Sequence, residues 1–131
     1  METAEYENFT IIRHSKGRIP ILPFLNIKEA ILGKKYELSL VFPLSNESKK
    51  LHLQWKNKLG PVNTLSFPYD KDSGEIIITL SQARIEAKNY NRKYSEHLIF
   101  LFIHSCLHLK GFDHGDNMEE REKYFMNQFI I

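Results

Sequence analysis

The sequence predicts an α+β fold, a small mixed sheet of about four strands packed with about five helices, in one domain over residues 1–131. Three observations support this. A chain of 131 residues suffices for one ordinary core but not comfortably for two. Hydrophobic residues at 42% and charged residues at 26% match an ordinary globular protein, which argues against disordered and fibrous classes. Short β-rich segments and helix-spaced segments are mixed without strict βαβ alternation, so helices should pack on a sheet that is not purely parallel.

Phe9 to Arg13 reads as a strand, and Pro23 to Leu32 as a helix that begins on a proline and stops at Gly33. Tyr36-Glu-Leu-Ser-Leu-Val-Phe42 alternates in part and ends at Pro43, as a strand does. Ser45 to Ser48 offers capping residues ahead of a helix from Lys49 to Lys58, where Leu51, Trp55 and Leu59 recur at helical spacing. Thr64 to Phe67 is a short strand closed by Pro68, and Tyr69 to Gly74 is a polar turn. Ile76-Ile-Ile-Thr-Leu80 is an apolar strand of the kind covered on both faces, after which Ser81 caps a helix to about Asn89. From about Tyr94 to Leu109 runs the most buried helix, apolar nearly all round between Leu98 and Ile103, with Gly111 able to end it in a left-handed turn. A last helix starts at Met118, with Asn117 and Glu120 as a capping-box-like pair and Glu119, Arg121, Glu122 and Lys123 exposed.

Several classes are disfavoured. The longest apolar run, Leu98 to Ile103, is far short of the roughly 20 residues that cross a bilayer, so no membrane span is expected. Met1-Glu-Thr-Ala-Glu-Tyr-Glu is acidic and lacks the basic and apolar regions of a secretory signal. With a single cysteine, Cys106, no intrachain disulfide can form, which fits a reducing compartment, and the expected location is the cytoplasm. Residues 1–60 carry ten Lys/Arg against six Asp/Glu, and residues 61–131 eight against ten. A basic first half suits a polyanion, although a solvated lysine surface explains the charge equally well.

The chemistry concentrates in His104-Ser-Cys-Leu-His108-Leu-Lys-Gly111-Phe-Asp-His114, at the end of the central buried helix. Four residues along a helix turn the chain by about 400° and rise about 6 Å, so His104 and His108 share one face and can grip one metal ion. Gly111 stops the helix and lets the chain turn back, which brings His114 toward the same point. Neutral imidazoles suit one zinc ion (Zn2+), with nickel, copper, iron or another divalent metal possible. Three protein ligands leave a fourth position open, the mark of a catalytic rather than a structural site. Asp113 is a candidate acceptor for an imidazole N–H and is equally able to cap the loop backbone. His97 shares the histidine face but sits about 10 Å along the axis, which favours packing or a substrate-side place. Cys106 points away into the core, and His14 and His52 read as surface residues.

The spacing H-x-x-x-H-x-x-G-x-x-H also occurs in metzincin proteases, where a glutamate after the first histidine activates water. Ser105 holds that position here and cannot serve as that base. The segment instead resembles the YbeY family of bacterial endoribonucleases and rRNA maturation factors, whose motif runs H-G-x-L-H-L-x-G-Y/F-D-H. Only Ser105, in place of glycine, departs from it. Pro61-Val-Asn-Thr-Leu65-Ser66-Phe67-Pro68 is similar to the family's P-T-D/N-V-L-S-F-P, and Gly74-Glu-Ile-Ile-Ile78 to its G-D-I-x-I. Similarity in order and spacing extends from about Tyr36 to Phe129.

The resemblance implies a metal-dependent endoribonuclease that acts on single-stranded RNA in small-subunit ribosomal RNA maturation and ribosome quality control. It implies zinc on His104, His108 and His114, with the small ribosomal subunit or assembly proteins as partners. The family's phosphate-handling arginine corresponds to Lys56, which keeps the charge without the bidentate geometry. Lys56 would offset charge on the scissile phosphate, while the metal polarises a phosphoryl oxygen or activates water; the sequence does not choose between these. Asn63 and Ser66 are candidate hydrogen-bonding partners of substrate or simply turn and strand-end residues. Trp55, Tyr69 and Phe112 are candidate base-stacking groups or core aromatics. Two other classes stay open: a peptidase-like metallohydrolase with Glu119 or Asp116 as base, and a non-enzymatic ribosome assembly factor with a structural metal. Turnover of peptides but not RNA marks the first, and ribosome maturation rescued by a metal-free triple-histidine variant marks the second.

Overall fold

The computed structural model describes residues 1–51, 53–54, 63–112 and 115–130. Five strands, β1 (Glu2–Tyr6), β2 (Phe9–Arg13), β3 (Glu37–Phe42), β4 (Thr64–Asp70) and β5 (Ser73–Ile78), form one mixed sheet in the order β1-β2-β3-β5-β4. β2, β3 and β5 run parallel, and the two edges, β1 and β4, pair antiparallel with their neighbours. Among the described residues five helices accompany it: α1 (Phe24–Ile31), α2 (Ser45–Leu51), α3 (Leu80–Asn89), α4 (Tyr94–Lys110) and α5 (Asp116–Phe129). The expected α+β class is therefore found, with one strand more than expected.

The extra strand, β1, carries Glu2, Glu5 and Tyr6 and shows little apolar alternation because it is an edge, partly open to solvent. Asn8, at φ 62°, makes the hairpin turn into β2, a backbone conformation that asparagine tolerates better than most residues. β4 continues past Pro68 to Asp70, since an edge strand needs no amide from proline on its open side. The expected polar turn shrinks accordingly, and Asp70 closes it by accepting from the Asp72 amide at 2.7 Å.

Burial alternates along β3, where Leu38, Leu40 and Phe42 face inward with Ile76 and Ile78 of β5. On that face lies α4, with Leu98, Phe102, Ile103, Cys106 and Leu107 at most 1% exposed. Phe24 of α1 meets Phe102 edge to face, ring centroids 5.1 Å apart, the favoured aromatic geometry. A smaller cluster of Leu65 and Ile77 includes Val41, Leu51 and Phe67.

Three helix starts differ from expectation. α2 begins at Ser45 because Glu47 reaches back to the Leu44 amide at 2.8 Å, a capping arrangement that leaves Ser45 inside the helix. α3 follows extended Thr79 rather than Ser81, and Leu80 is its first residue instead of the end of a strand. The Thr79 hydroxyl shares a buried 2.8 Å hydrogen bond with Ser48, while its amide donates to the Asn63 carbonyl at 3.0 Å. α5 begins at Asp116 after Gly115 at φ 146°, two residues before Met118. Gly111 ends α4 as expected: it adopts φ 112°, and the Phe112 amide folds back onto the Leu107 carbonyl at 3.0 Å.

Candidate functional site

Helical geometry alone places His104 and His108 on one face of α4, with ring centroids 4.5 Å apart and planes at 87°. Each ring is held through Nδ1. His104 Nδ1 donates to Glu122 Oε2 of α5 at 2.8 Å, and His108 Nδ1 donates to the Phe112 carbonyl at 3.0 Å. The second bond depends on Gly111, whose left-handed turn brings that carbonyl back beside the helix. With both Nδ1 protons so engaged, the two Nε2 atoms are acceptors, and they face one another at 3.0 Å. Two imidazole lone pairs this close repel unless a proton or a metal cation lies between them. His104 and His108 are thus the described residues able to hold a metal.

Glu122, expected on the exposed side of α5, is 9% exposed. Its carboxylate sits on the face that also buries Met118 and Phe125, four residues before and three after it. That i, i+4, i+7 pattern was the signal available in the sequence: one charge on an otherwise apolar helix face. A carboxylate behind an imidazole fixes its tautomer and raises its basicity, the usual support of a metal-ligating histidine.

The pair opens on a cleft of about 520 Å³ lined by Asn63, Thr64, Leu65 and Ser66 on one side and by Phe100 and Leu101 of α4 on the other. Ser105 does not look into it. This residue is fully buried, its hydroxyl donates to the Leu101 carbonyl at 2.9 Å, and it shares a 2.6 Å hydrogen bond with the Thr64 hydroxyl. The Ser66 hydroxyl donates to the Ser105 carbonyl at 3.3 Å, so both side chains fasten β4 to α4. Asn63 accepts from the Thr64 amide at 2.7 Å and donates to Glu86 at 3.4 Å, which holds the cleft's rim.

His97 is 2% exposed, donates from Nε2 to Glu86 Oε1 at 3.0 Å and stacks against Phe100, a packing role. Cys106 is fully buried, and burial pushes its thiol well above the usual cysteine range, which leaves it inert. His14, expected at the surface, is half-buried and pairs with Glu47 at 3.2 Å. Tyr69 is 65% exposed, with its hydroxyl on Glu75, and Phe112 is half-buried beneath the Arg121 guanidinium. Glu119 is exposed on α5. His52, Trp55, Lys56, Asp113 and His114 lie outside the described residues, as does the side chain of Asp116. Among the described residues no three His, Cys, Asp or Glu side chains form a metal-ligand group.

Fold and site together define an α+β protein in which an edge strand and a buried central helix enclose a cleft walled by two imidazoles. The chain belongs to the YbeY family: the family profile described as Endoribonuclease YbeY matches residues 11–130. It is 36% identical over 108 residues to the Endoribonuclease YbeY of Finegoldia magna, covering 73% of this chain and 71% of that one. To the protein of the same name from Campylobacter jejuni it is 37% identical over 106 residues, covering 76% and 78%. The solution structure of TM1509 from Thermotoga maritima superposes with a TM-score of 0.65 at 26% identity, over 92% of this chain and 88% of that one.

Proposed function

We propose that this chain is a metal-dependent endoribonuclease that cuts single-stranded ribosomal RNA in small-subunit maturation and quality control, with zinc on His104, His108 and His114 and Lys56 at the scissile phosphate. The observation that carries this is the pair of Nε2 acceptors 3.0 Å apart, each fixed in its tautomer by a partner on Nδ1. Two nitrogens, each about 2.0–2.1 Å from a tetrahedral zinc ion, lie roughly 3.3 Å apart, so the donor set and its spacing fit the ion. When bound, such an ion supplies Lewis acidity to phosphoryl transfer.

The chain's own groups do the rest. Glu122 and the Phe112 carbonyl hold a proton on each Nδ1, so that both rings remain ligands and neither becomes a donor toward the cleft. Phe100, Leu101 and Leu65 form apolar wall, which lowers the local dielectric around a bound phosphodiester. The names of the relatives support RNA as the substrate. Ser105, buried and turned to β4, brings no carboxylate to the place where a peptidase of this spacing carries its base. Ribosomal assembly proteins as partners and a cytoplasmic location complete the proposal; no described helix is long and apolar enough to cross a membrane.

The test is metal analysis of the purified chain, coupled to cleavage of single-stranded RNA with and without chelator. Stoichiometric zinc, loss of cleavage on chelation and loss of both in His108→Ala are expected. Undiminished cleavage by metal-free or His108→Ala protein would overturn the proposal.

A further inference from the structure

We propose that Arg92, laid over Phe100 and flanked by Tyr90, forms a stacking platform for one unpaired base of the RNA strand next to the bond cut at the histidine pair. The inference rests on the endoribonuclease reading and names the part of the substrate gripped beside that site.

Phe100 lies one helical turn before His104 on α4, with ring centroids 6.0 Å apart. It walls the histidine cleft and also a second groove, of about 580 Å³, between α4 and α5. Beside it stacks His97, nearly parallel at 21° and held in place by Glu86. The Arg92 guanidinium lies 4.7 Å from the Phe100 centroid and 5.9 Å from that of Tyr90. Arg92 is exposed, and Tyr90 is 67% exposed. Among the described residues, no carboxylate comes within 4.0 Å of this guanidinium. Its Nη1 donates to His97 Nδ1 at 3.5 Å, so the guanidinium is held without an ion pair against a fixed aromatic layer.

A flat cation on an aromatic backing is the kind of surface on which unpaired bases stack. The lining of the second groove selects a base over a phosphate. Glu96, Glu119 and Glu122 line it against Arg92 and Lys123, and this excess of carboxylates favours an uncharged ring over a phosphodiester. Because Phe100 belongs to both cavities, a strand whose phosphate lies at the imidazoles has the platform within reach of a neighbouring base. A paired base cannot stack there, so the platform also disfavours duplex RNA.

The test uses single-stranded RNA substrates that carry one abasic nucleotide at successive positions around the cleavage point. One position should raise KM by roughly tenfold with kcat retained, the scale of one base–aromatic stack. Arg92→Lys keeps the charge and loses the plane. It should raise KM on intact RNA by a similar factor and leave KM unchanged on the RNA that is abasic at the sensitive position, since the partner is already gone. KM values indifferent to the abasic position, or an equal Arg92→Lys loss on both substrates, would overturn the platform while leaving the nuclease intact. Absence of RNA cleavage and binding by the native chain would instead overturn the endoribonuclease reading, and the platform with it.

Discussion

Replacing Glu122 with alanine removes the acceptor that orients His104 while leaving both imidazoles on α4. The bond lost is a 2.8 Å contact between a carboxylate that is 11% exposed and a ring that is 19% exposed. Two costs follow. The His104 Nδ1–H is left in a largely buried place without its partner, which costs about 1–3 kcal/mol of stability. The ring is also released to carry its proton on Nε2, where it cannot bind a metal. Removing such a partner typically weakens metal binding by about 10–100-fold, or about 1.4–2.7 kcal/mol. Glu122→Gln retains an oxygen acceptor and should fall at the mild end of that range. Glu119→Ala, an exposed position on the same helix, should change nothing. The assay is competition for zinc against a chromophoric chelator, run beside urea unfolding of the metal-free proteins. Native zinc affinity in Glu122→Ala would refute the tautomer argument, whatever happened to stability.

Gly74→Ala should destabilise the fold by about 1–3 kcal/mol, as overpacking does. Its new Cβ would stand 2.6 Å from the Tyr36 hydroxyl, 3.0 Å from the Phe67 carbonyl and 3.2 Å from Leu109, and the carbonyl is backbone that cannot swing aside. Urea unfolding reads this directly. Ser105→Gly, which installs the family's residue, should lower stability by about 1–3 kcal/mol, from a lost buried hydroxyl partner and glycine's weak helix propensity; an unchanged midpoint would count against the α4–β4 tie. Glu47 has its carboxyl held below the usual glutamate range, first by the Leu44 amide and then by His14. A depressed folded pKa gives stability that is present above the unfolded value and lost as pH falls through the folded one. Glu47→Gln should therefore flatten the acid side of the stability curve, measured by thermal melts stepped down from just above the ordinary carboxylate range.

The pairing of His104 and His108 was legible because its signals are local. The four-residue histidine step needs only a helix, and the apolar run from Leu98 to Ile103 with Gly111 beyond it specifies that helix and its end. The interior strands β2, β3 and β5 announce themselves by buried β-branched and aromatic residues. What stayed hidden depends on distant partners. β1 is polar because it is an edge, and its pairing to β2 is the only thing that makes it a strand. The starts of α3 and α5 carry no side-chain cap bond, so no local residue marked them. The periodicity of α5 marks Glu122 as a charge on an apolar face but not its partner, which only the docking of α5 on α4 supplies, and Arg92 resembles any surface arginine until Phe100 and Tyr90 are placed around it.

Thr79 fastens the chain twice, by its hydroxyl to Ser48 and by its amide to the Asn63 carbonyl. One residue at the end of β5 thereby ties helix α2 to the residue that opens β4. Thr79→Val, which removes the hydroxyl and keeps the amide, should therefore free α2 while leaving Asn63 tied to the scaffold. The rim of the cleft and the helix that carries the imidazole pair are thus anchored separately, the one through Thr79 and the other through its own packing against the sheet.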